Sequence, residues 1–147
     1  MTEQDYIILV DDNPDDAEAT QRSMSKNDFG YPVKWLASGE ELISLLTSIA
    51  DKDEGAVRLP LFVLLDLNMP GLDGKNALRK LRLTKKLNLV PIIIFTTSND
   101  PRDVNECYNL GANSFIQKPL SYTKLHNTVK ALKEYWFDVA ILPGLNG

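Results

Sequence analysis

Cysteine and histidine are nearly absent from the sequence, which has one of each, Cys107 and His126. A single cysteine excludes an intrachain disulfide and a metal site built from several cysteines. No apolar run approaches the ~20 residues that a membrane-spanning helix needs, and Met1–Asp5 has no basic region of the kind that begins a signal peptide. We therefore expect a cytoplasmic protein that does not contact a membrane.

Positive charge is also in short supply, with 16 lysines and arginines against 20 aspartates and glutamates and a net charge of -4. Nucleic acids and anionic membranes are bound through basic surfaces, so neither is expected as a partner. The composition, 44% hydrophobic and 24% charged over 147 residues, is typical of one soluble domain. A cation or another protein suits this acidic chain better.

Short apolar segments alternate with segments of helical periodicity along the chain. The predicted strands are Tyr6–Val10, Val33–Leu36, Leu61–Leu65, Pro91–Phe95 and Ser114–Ile116. Three of them are nearly all apolar, as expected for parallel strands covered by helices on both faces. Five such βα units predict an α/β protein with a doubly wound, five-stranded parallel sheet.

Helix faces and helix starts support the same interpretation. Two predicted helices carry apolar stripes, one with Leu42, Leu45, Leu46 and Ile49 and the other with Tyr122, Leu125, Val129, Leu132 and Trp136. Cap residues mark three helix starts, at Asn13-Pro14, Ser38-Gly39-Glu40-Glu41 and Asp100-Pro101. The polar stretch 51–60, which contains Gly55, is interpreted as a surface connection.

Polar side chains follow directly after four of the predicted strands: Asp11, Asp12, Asp66, Thr96 and Lys118. In an open parallel sheet the ligand site lies beyond the carboxyl ends of the strands, so these side chains are expected to meet. Two carboxylates ~4 Å apart repel by roughly 4 kcal/mol at an effective dielectric of about 20, so three of them need a cation. Hard oxygen ligands select Mg²⁺ or Ca²⁺, and a site with only two or three carboxylates leaves room for water molecules, which favours Mg²⁺.

Asp66 is the best candidate for a nucleophile in this group. It ends the most apolar strand and precedes the turn Met69-Pro70-Gly71. Carboxylates can accept phosphoryl groups, while Lys118 supplies positive charge and Thr96 supplies a hydroxyl donor. Metal, cation, donor and nucleophile are the parts that stabilise an in-line phosphoryl transfer.

Taken in order, these motifs resemble the receiver domain of two-component response regulators. The set comprises Val10-Asp11-Asp12-Asn13, Leu65-Asp66-Leu67-Asn68-Met69-Pro70-Gly71-Leu72-Asp73-Gly74, Phe95-Thr96-Thr97-Ser98, Gly111-Ala112 and Lys118-Pro119. The resemblance covers about residues 5–136 and implies the flavodoxin-like, CheY-like (βα)5 fold with strand order 2-1-3-4-5. It also implies one receiver domain over 1–147 with a C-terminal extension at 137–147.

The same resemblance implies a role for each matching residue. A histidine kinase would phosphorylate Asp66, and Mg²⁺ would bind Asp12, Asp66 and the backbone carbonyl of Asn68, with Asp11 helping directly or through water. Lys118 would contact the phosphoryl group. Gly74 would let the third helix start close to the acceptor loop.

Three further expectations come from the resemblance. Thr96 and the aromatic Phe115 would form the switch that responds to phosphorylation, and the Lys118–Pro119 peptide bond would be cis. Thr97 stands where the family commonly has alanine. Because a larger side chain there would narrow the approach to Asp66, we expect slower phosphorylation or a longer-lived phosphoryl group.

The end of the chain is unusually apolar for this family. Its large side chains are Tyr135, Trp136, Phe137, Ile141 and Leu142. Such a surface either folds back on its own domain or meets another subunit, and we expect a homodimer through the last helix and the extension. This segment and the 51–60 connection resemble the stand-alone response regulators that serve phytochromes.

Two other functions would use a similar set of residues. A hydrolase of the haloacid-dehalogenase type also uses an aspartyl nucleophile, but it needs Asp-x-Asp, and this chain has Asp66-Leu67-Asn68. A degenerate receiver that only binds a partner would not need the full set of site residues. The prediction is therefore a regulator that is not an enzyme, apart from Mg²⁺-dependent self-phosphorylation and slow autodephosphorylation at Asp66.

Overall fold

A single parallel sheet forms the centre of the protein. The structure is a computed structural model and describes residues 5–52 and 58–146. The strands are β1 Ile7–Val10, β2 Val33–Leu36, β3 Val63–Leu65, β4 Ile92–Thr96 and β5 Ser114–Gln117, in the order β2-β1-β3-β4-β5. The predicted α/β class and strand order are confirmed.

Helices connect the strands and cover both faces of the sheet. They are α1 Pro14–Lys26, α2 Gly39–Ala50, α3 Gly74–Leu83, α4 Pro101–Asn109 and α5 Tyr122–Lys133, and a π-helical segment, Glu134–Val139, continues α5. Asn13, Ser38 and Asp100 cap α1, α2 and α4 through their side chains, as predicted. In the described ranges no helix has both the length and the apolar character to cross a bilayer.

The strands divide the core between the two faces. Ile7 and Leu9 pack with residues of α1 and α5, whereas Ile8 and Val10 pack with residues of α2, α3 and α4. Successive strand residues point to opposite faces, so a strand covered on both sides is apolar at every position. Each fully buried aliphatic side chain stabilises the fold by roughly 1.5–3 kcal/mol relative to an exposed one.

Four of the five strands differ from the prediction by one or two residues at an end. Pro91 has no N–H to donate to a neighbouring strand, and β4 begins one residue later, at Ile92. The strand also extends to Thr96, which pairs with Gln117 of β5. Similarly, β3 begins at Val63, where pairing with Ile92 starts. The extra residue of β4 means that the strand pairing itself holds Thr96 in place.

The C-terminal segment packs on its own domain. The ring of Phe137 lies 5.5 Å from that of Phe29, 4.9 Å from that of Tyr31 and 5.7 Å from that of Phe62. Trp136 also meets Phe62, at 5.8 Å. Trp136 and Phe137 therefore fold back onto their own domain.

The surface connection and the rest of the extension lie side by side. The Asn146 amide exchanges two hydrogen bonds with the backbone of Leu59, at 2.7 and 3.0 Å. Residues 53–57 of the predicted connection, including Gly55, lie outside the described residues. Tyr135 and Ile141 remain 54% and 98% exposed.

Candidate functional site

The five polar residues that follow the predicted strands are gathered at the carboxyl edge of the sheet. The Asp11 N–H donates to the carbonyl of Leu36 at 3.0 Å, and the Asp66 N–H donates to that of Val10 at 3.1 Å. The Lys118 N–H donates to the carbonyl of Thr96 at 2.6 Å. The hydrogen bonding of the sheet therefore continues into the site and fixes the backbone of its residues.

Three carboxylates form a compact cluster at this edge. One oxygen each of Asp11, Asp12 and Asp66 lies within 4.8 Å of the others. Asp11 and Asp66 are buried, and Asp12 is exposed. Hard oxygen donors with one side open to water fit Mg²⁺, which keeps several of its waters when bound. Asn68, whose carbonyl is the fourth predicted ligand, lies two residues after Asp66 in the same loop.

Lys118 is the buried cation of the site. Its ammonium lies 2.5 Å from Asp11 Oδ2 and 3.5 Å from Asp66 Oδ2. Burial alone would lower the pKa of Lys118, but the hydrogen bond to Asp11 and the nearby carboxylates outweigh it and raise that pKa. Burial raises the pKa of Asp11, and the hydrogen bond from Lys118 opposes that rise. The lysine thus stays charged beside Asp66.

Asp16 is a site residue that the sequence analysis missed. Its Oδ2 lies 3.5 Å from the Lys118 ammonium. An acid in the first turn of a helix is favourable on its own because the N-terminal end of the helix is partially positive, so its presence needed no other explanation. The only sequence signal was the doublet Asp15-Asp16 after the proline.

Gly74 explains how the acceptor loop turns so tightly. Its N–H donates to the carbonyl of Leu67 at 3.0 Å, and a Cβ at Gly74 would overlap the carbonyl oxygen of Asp66. Asp73 caps α3 by accepting the N–H of Asn76 at 2.9 Å. The third helix therefore starts directly behind Asp66, as the resemblance implied.

The two predicted switch residues lie on neighbouring strands. Thr96 is fully buried, and its hydroxyl accepts the N–H of Ser98 at 3.4 Å. Phe115 is half-buried against the core, and its N–H donates to the Tyr108 hydroxyl of α4 at 3.1 Å. Thr97, the predicted access residue, is exposed. The structure therefore places the predicted switch residues on β4 and β5, and Phe115 joins β5 to α4.

The expectation that the Lys118–Pro119 peptide bond is cis was wrong. The structure contains no cis peptide bond within the described residues, so the Lys118–Pro119 bond is trans. Trans is the lower-energy form of an X-Pro bond by roughly 0.5–1 kcal/mol.

An ion-pair network continues from the site to α4, and the sequence analysis did not anticipate it. The Ser98 hydroxyl donates to Asp103 Oδ2 at 2.6 Å. Lys75, next to Gly74, donates to Asp103 Oδ1 at 2.6 Å and lies 2.8 Å from Glu106 Oε2. The hydrogen bonds from Lys75 and Ser98 lower the pKa of Asp103. These contacts join the start of α3 and the loop that follows β4 to helix α4.

Known proteins resemble this chain over most of its length, including the residues of the site. The response regulator receiver domain model matches residues 7–130. The probable methanogenesis regulatory protein FilR2 of Methanothrix harundinacea is 33% identical, over 94% of this chain and 87% of that protein. The response regulator Rcp1 of Synechocystis is 26% identical, over 93% of this chain and 92% of that protein.

Solved structures agree with the sequence matches. The phosphorylated cyanobacterial phytochrome response regulator RcpA superposes with a TM-score of 0.85 at 27% identity, covering 97% of this chain and all of that chain. The Mn²⁺-bound form of Rcp1 superposes with a TM-score of 0.83 at 25% identity, covering 95% of this chain and 99% of that one. The family match includes Asp11, Asp66, Thr96 and Lys118. The chain belongs to the response regulator receiver domain family.

Proposed function

We propose that this response regulator accepts a phosphoryl group on Asp66 from a histidine kinase, with Mg²⁺ bound by Asp11, Asp12, Asp66 and the backbone carbonyl of Asn68. The observation that carries the proposal is the setting of Asp66. Its carboxylate is buried at a strand end, 3.5 Å from the ammonium of Lys118 and in one cluster with two other acids. The proposal covers one receiver domain over residues 1–147, in the cytoplasm.

The residues of the site supply the nucleophile and the positive charge that a phosphoryl transfer needs. An Asp66 oxygen attacks phosphorus, the P–N bond of the donor phosphohistidine breaks, and its electron pair stays on the imidazole. The product is an acyl phosphate on Asp66. When bound, Mg²⁺ supplies charge that neutralises the phosphoryl oxygens, and Lys118 supplies a second positive charge beside them. Water slowly hydrolyses the acyl phosphate, and no other substrate is turned over.

Labelling with a small-molecule donor tests this function. The protein is incubated with radiolabelled acetyl phosphate, with and without Mg²⁺, as wild type, Asp66→Asn and Asp73→Asn. Asp73→Asn is the matched control because asparagine also caps helices well. We expect an acid- and base-labile label that needs both Mg²⁺ and Asp66. Absence of label in the wild type would favour a degenerate binding module, and continuous phosphate release over many turnovers would favour a hydrolase.

The output of the switch is a changed protein-binding surface. Phosphorylation draws the hydroxyl of Thr96 away from the Ser98 N–H, and Phe115 follows it inward, which shifts the face made by α4, β5 and α5. The bond from the Phe115 N–H to Tyr108 supports this coupling because it joins β5 directly to α4. Amide spectra recorded with and without beryllofluoride, a mimic of the phosphoryl group, should differ on that face, and identical spectra would contradict the switch.

Thr97 tunes access to the acceptor. Its side chain is exposed at the edge of the site, and its carbonyl accepts a hydrogen bond from Gln117 at 3.4 Å. The variant Thr97→Ala should be phosphorylated faster or lose its phosphoryl group faster. Unchanged rates for both steps would remove this role.

The exposed part of the C-terminal segment supports a homodimer. Tyr135 and Ile141 are exposed, and Leu142 is half-buried, beside the inward-packed Trp136 and Phe137. Exposed apolar side chains of this size favour association with another subunit. Sedimentation should show a dimer that Ile141→Asp weakens. Leu89→Asp, the same kind of change at an exposed apolar residue between α3 and β4, is the matched control and should leave the dimer intact.

The kinase partner is proposed to be a phytochrome. RcpA and Rcp1 support this, as does the response regulator RPA3017 of R. palustris, whose structure is described as part of red light signaling and superposes with a TM-score of 0.82 at 26% identity. Phosphotransfer from a purified phytochrome kinase should reach Asp66 and should depend on red or far-red illumination. Equal transfer from unrelated kinases would contradict this pairing.

A further inference from the structure

An indole hydrogen bond connects the edge strand β2 to the loop that carries two of the acids. Trp35 Nε1 donates to the backbone carbonyl of Asp11 at 2.8 Å. The N–H of Asp11 in turn donates to the carbonyl of Leu36, the residue after Trp35. Both backbone groups of Asp11 are therefore held by β2, one by its backbone and one by a side chain.

This bond bears on the direction of both acids in the loop. The carbonyl of Asp11 and the backbone nitrogen of Asp12 belong to one rigid peptide plane. A hydrogen bond that holds the carbonyl in place therefore also holds the backbone nitrogen of Asp12 in place. On the other side, the Asp11 Oδ1 accepts the N–H of Asn13 at 2.9 Å, and its Oδ2 meets Lys118. Groups that orient the ligands of a metal from outside contribute to metal affinity.

Packing alone does not account for Trp35. Its side chain is 39% exposed, so its N–H could be satisfied by water without any protein partner. A large aromatic side chain at the open edge of the sheet is also unfavourable to expose. The short hydrogen bond to the carbonyl of Asp11 therefore indicates a role for Trp35 other than packing in the core.

We propose that Trp35 is a positioning residue for the metal-binding loop, acting through the carbonyl of Asp11. This inference rests on the proposed Mg²⁺ site. Replacing Trp35 with phenylalanine keeps an aromatic ring and removes the N–H. The variant Trp35→Phe should bind Mg²⁺ about three- to tenfold more weakly than the wild type, whereas its labelling at Asp66 under saturating Mg²⁺ should recover to within about twofold.

Calorimetric titration of MgCl₂ into the unphosphorylated protein measures this directly. The matched control is Trp136→Phe, the same chemical change at the other of the two tryptophans. Trp136 packs on Phe62, near the start of β3 and away from the carboxyl edge of the sheet. The control should bind Mg²⁺ like the wild type.

Fluorescence provides a second measurement that leaves Trp35 in place. In the Trp136→Phe protein Trp35 is the remaining tryptophan, so its emission can be followed alone during a MgCl₂ titration. We expect the emission to change and to saturate with the dissociation constant found by calorimetry. If circular dichroism shows that Trp35→Phe does not fold, this fluorescence titration tests the role of Trp35 in its place.

The outcomes separate the two proposals. If the wild type does not bind Mg²⁺, the proposed function fails and this inference fails with it. If the wild type binds Mg²⁺ and is labelled at Asp66 but Trp35→Phe binds Mg²⁺ equally well, only the role of Trp35 is overturned. An emission spectrum of Trp35 that saturating Mg²⁺ leaves unchanged would overturn it as well.

Discussion

At Gly74 the acceptor loop and the third helix approach so closely that no side chain fits between them. The residue that permits this contact carries no chemistry of its own, yet it sets the position of the Asp66 backbone. Steric exclusion at one position thus has a functional consequence at another. Its effect can be measured separately from the charges of the site.

The variant Gly74→Ala should lose stability and labelling together. The added methyl group overlaps the carbonyl oxygen of Asp66, so the loop must shift, at a cost of about 1–3 kcal/mol in the free energy of unfolding. Urea unfolding measures the first effect, and acetyl phosphate labelling measures the second. Gly144→Ala is the control, because a Cβ there meets nothing within 4 Å. Equal stability of the two variants would contradict this account.

Tyr6 gives a second residue-scale prediction, at alkaline pH. Its hydroxyl donates to the carbonyl of Arg58 at 2.6 Å, and burial raises the pKa of Tyr6 to about 12. A raised pKa means that the folded state keeps the phenol neutral. The resulting stability is fully present below the ordinary pKa of about 10 and is lost as the pH rises through the folded value.

The wild type should therefore lose stability between about pH 10 and pH 12 more steeply than Tyr6→Phe, which has no phenol to ionise. Denaturant unfolding at several pH values measures the two slopes. Tyr135→Phe, at an exposed position, should keep the slope of the wild type. Parallel curves for the wild type and Tyr6→Phe would count against the burial of Tyr6 as the cause.

At the scale of elements, α4 is attached to the site by polar side chains. Asp103 of α4 accepts hydrogen bonds from Ser98 in the loop after β4 and from Lys75 of α3. Because Ser98 also donates its N–H to Thr96, the network ends at a predicted switch residue. Its strength sets how firmly α4 is held before phosphorylation.

The variant Asp103→Asn should loosen α4. We expect faster amide hydrogen exchange in α4 and a loss of about 0.5–1.5 kcal/mol at pH 7, a modest value because the pair is partly exposed to solvent. The pKa of Asp103 is lowered in the folded state, so this contribution is present at neutral pH and disappears as the pH falls through the lowered value.

The difference in stability between the wild type and Asp103→Asn should accordingly shrink from about pH 5 downward. Asp138→Asn, which changes an exposed acid in the C-terminal segment, is the control and should match the wild type at each pH. A difference that stays constant down to low pH would show that the carboxylate charge is not responsible.

At the scale of the whole molecule, the C-terminal segment closes one side of the core. The aromatic rings of Trp136 and Phe137 cover Phe62, which lies among the fully buried side chains. The extension is thus part of the folded unit as well as a candidate for the dimer surface. Inward and outward side chains of the same segment should behave differently.

The variant Phe137→Ala should lose about 1–3 kcal/mol of stability, less than the full cost for a buried phenylalanine because this ring is half-buried. Ile141→Ala, at a position that is 98% exposed, should change stability by less than about 0.5 kcal/mol. Both are measured by urea unfolding at a dilution where the protein is monomeric. Equal losses for the two variants would contradict the observed packing.

The sequence by itself determined the fold class and much of the candidate site. Hydrophobic periodicity is a local property, and the carboxyl ends of parallel strands always share one edge. The sequence alone therefore predicts that Asp11, Asp66 and Lys118 lie together. Strand limits were less predictable, as Thr96 shows, because a strand ends where its neighbour stops pairing.

Only the tertiary structure decided the contacts between elements. The distance from Asp16 to Lys118, the bond from Trp35 to Asp11 and the inward packing of Phe137 depend on how helices and strands sit against one another. Each of these side chains has an ordinary local explanation, as a helix-terminal acid or an exposed aromatic. Periodicity specifies which face a residue occupies, but the partner it meets there depends on the packing of distant segments.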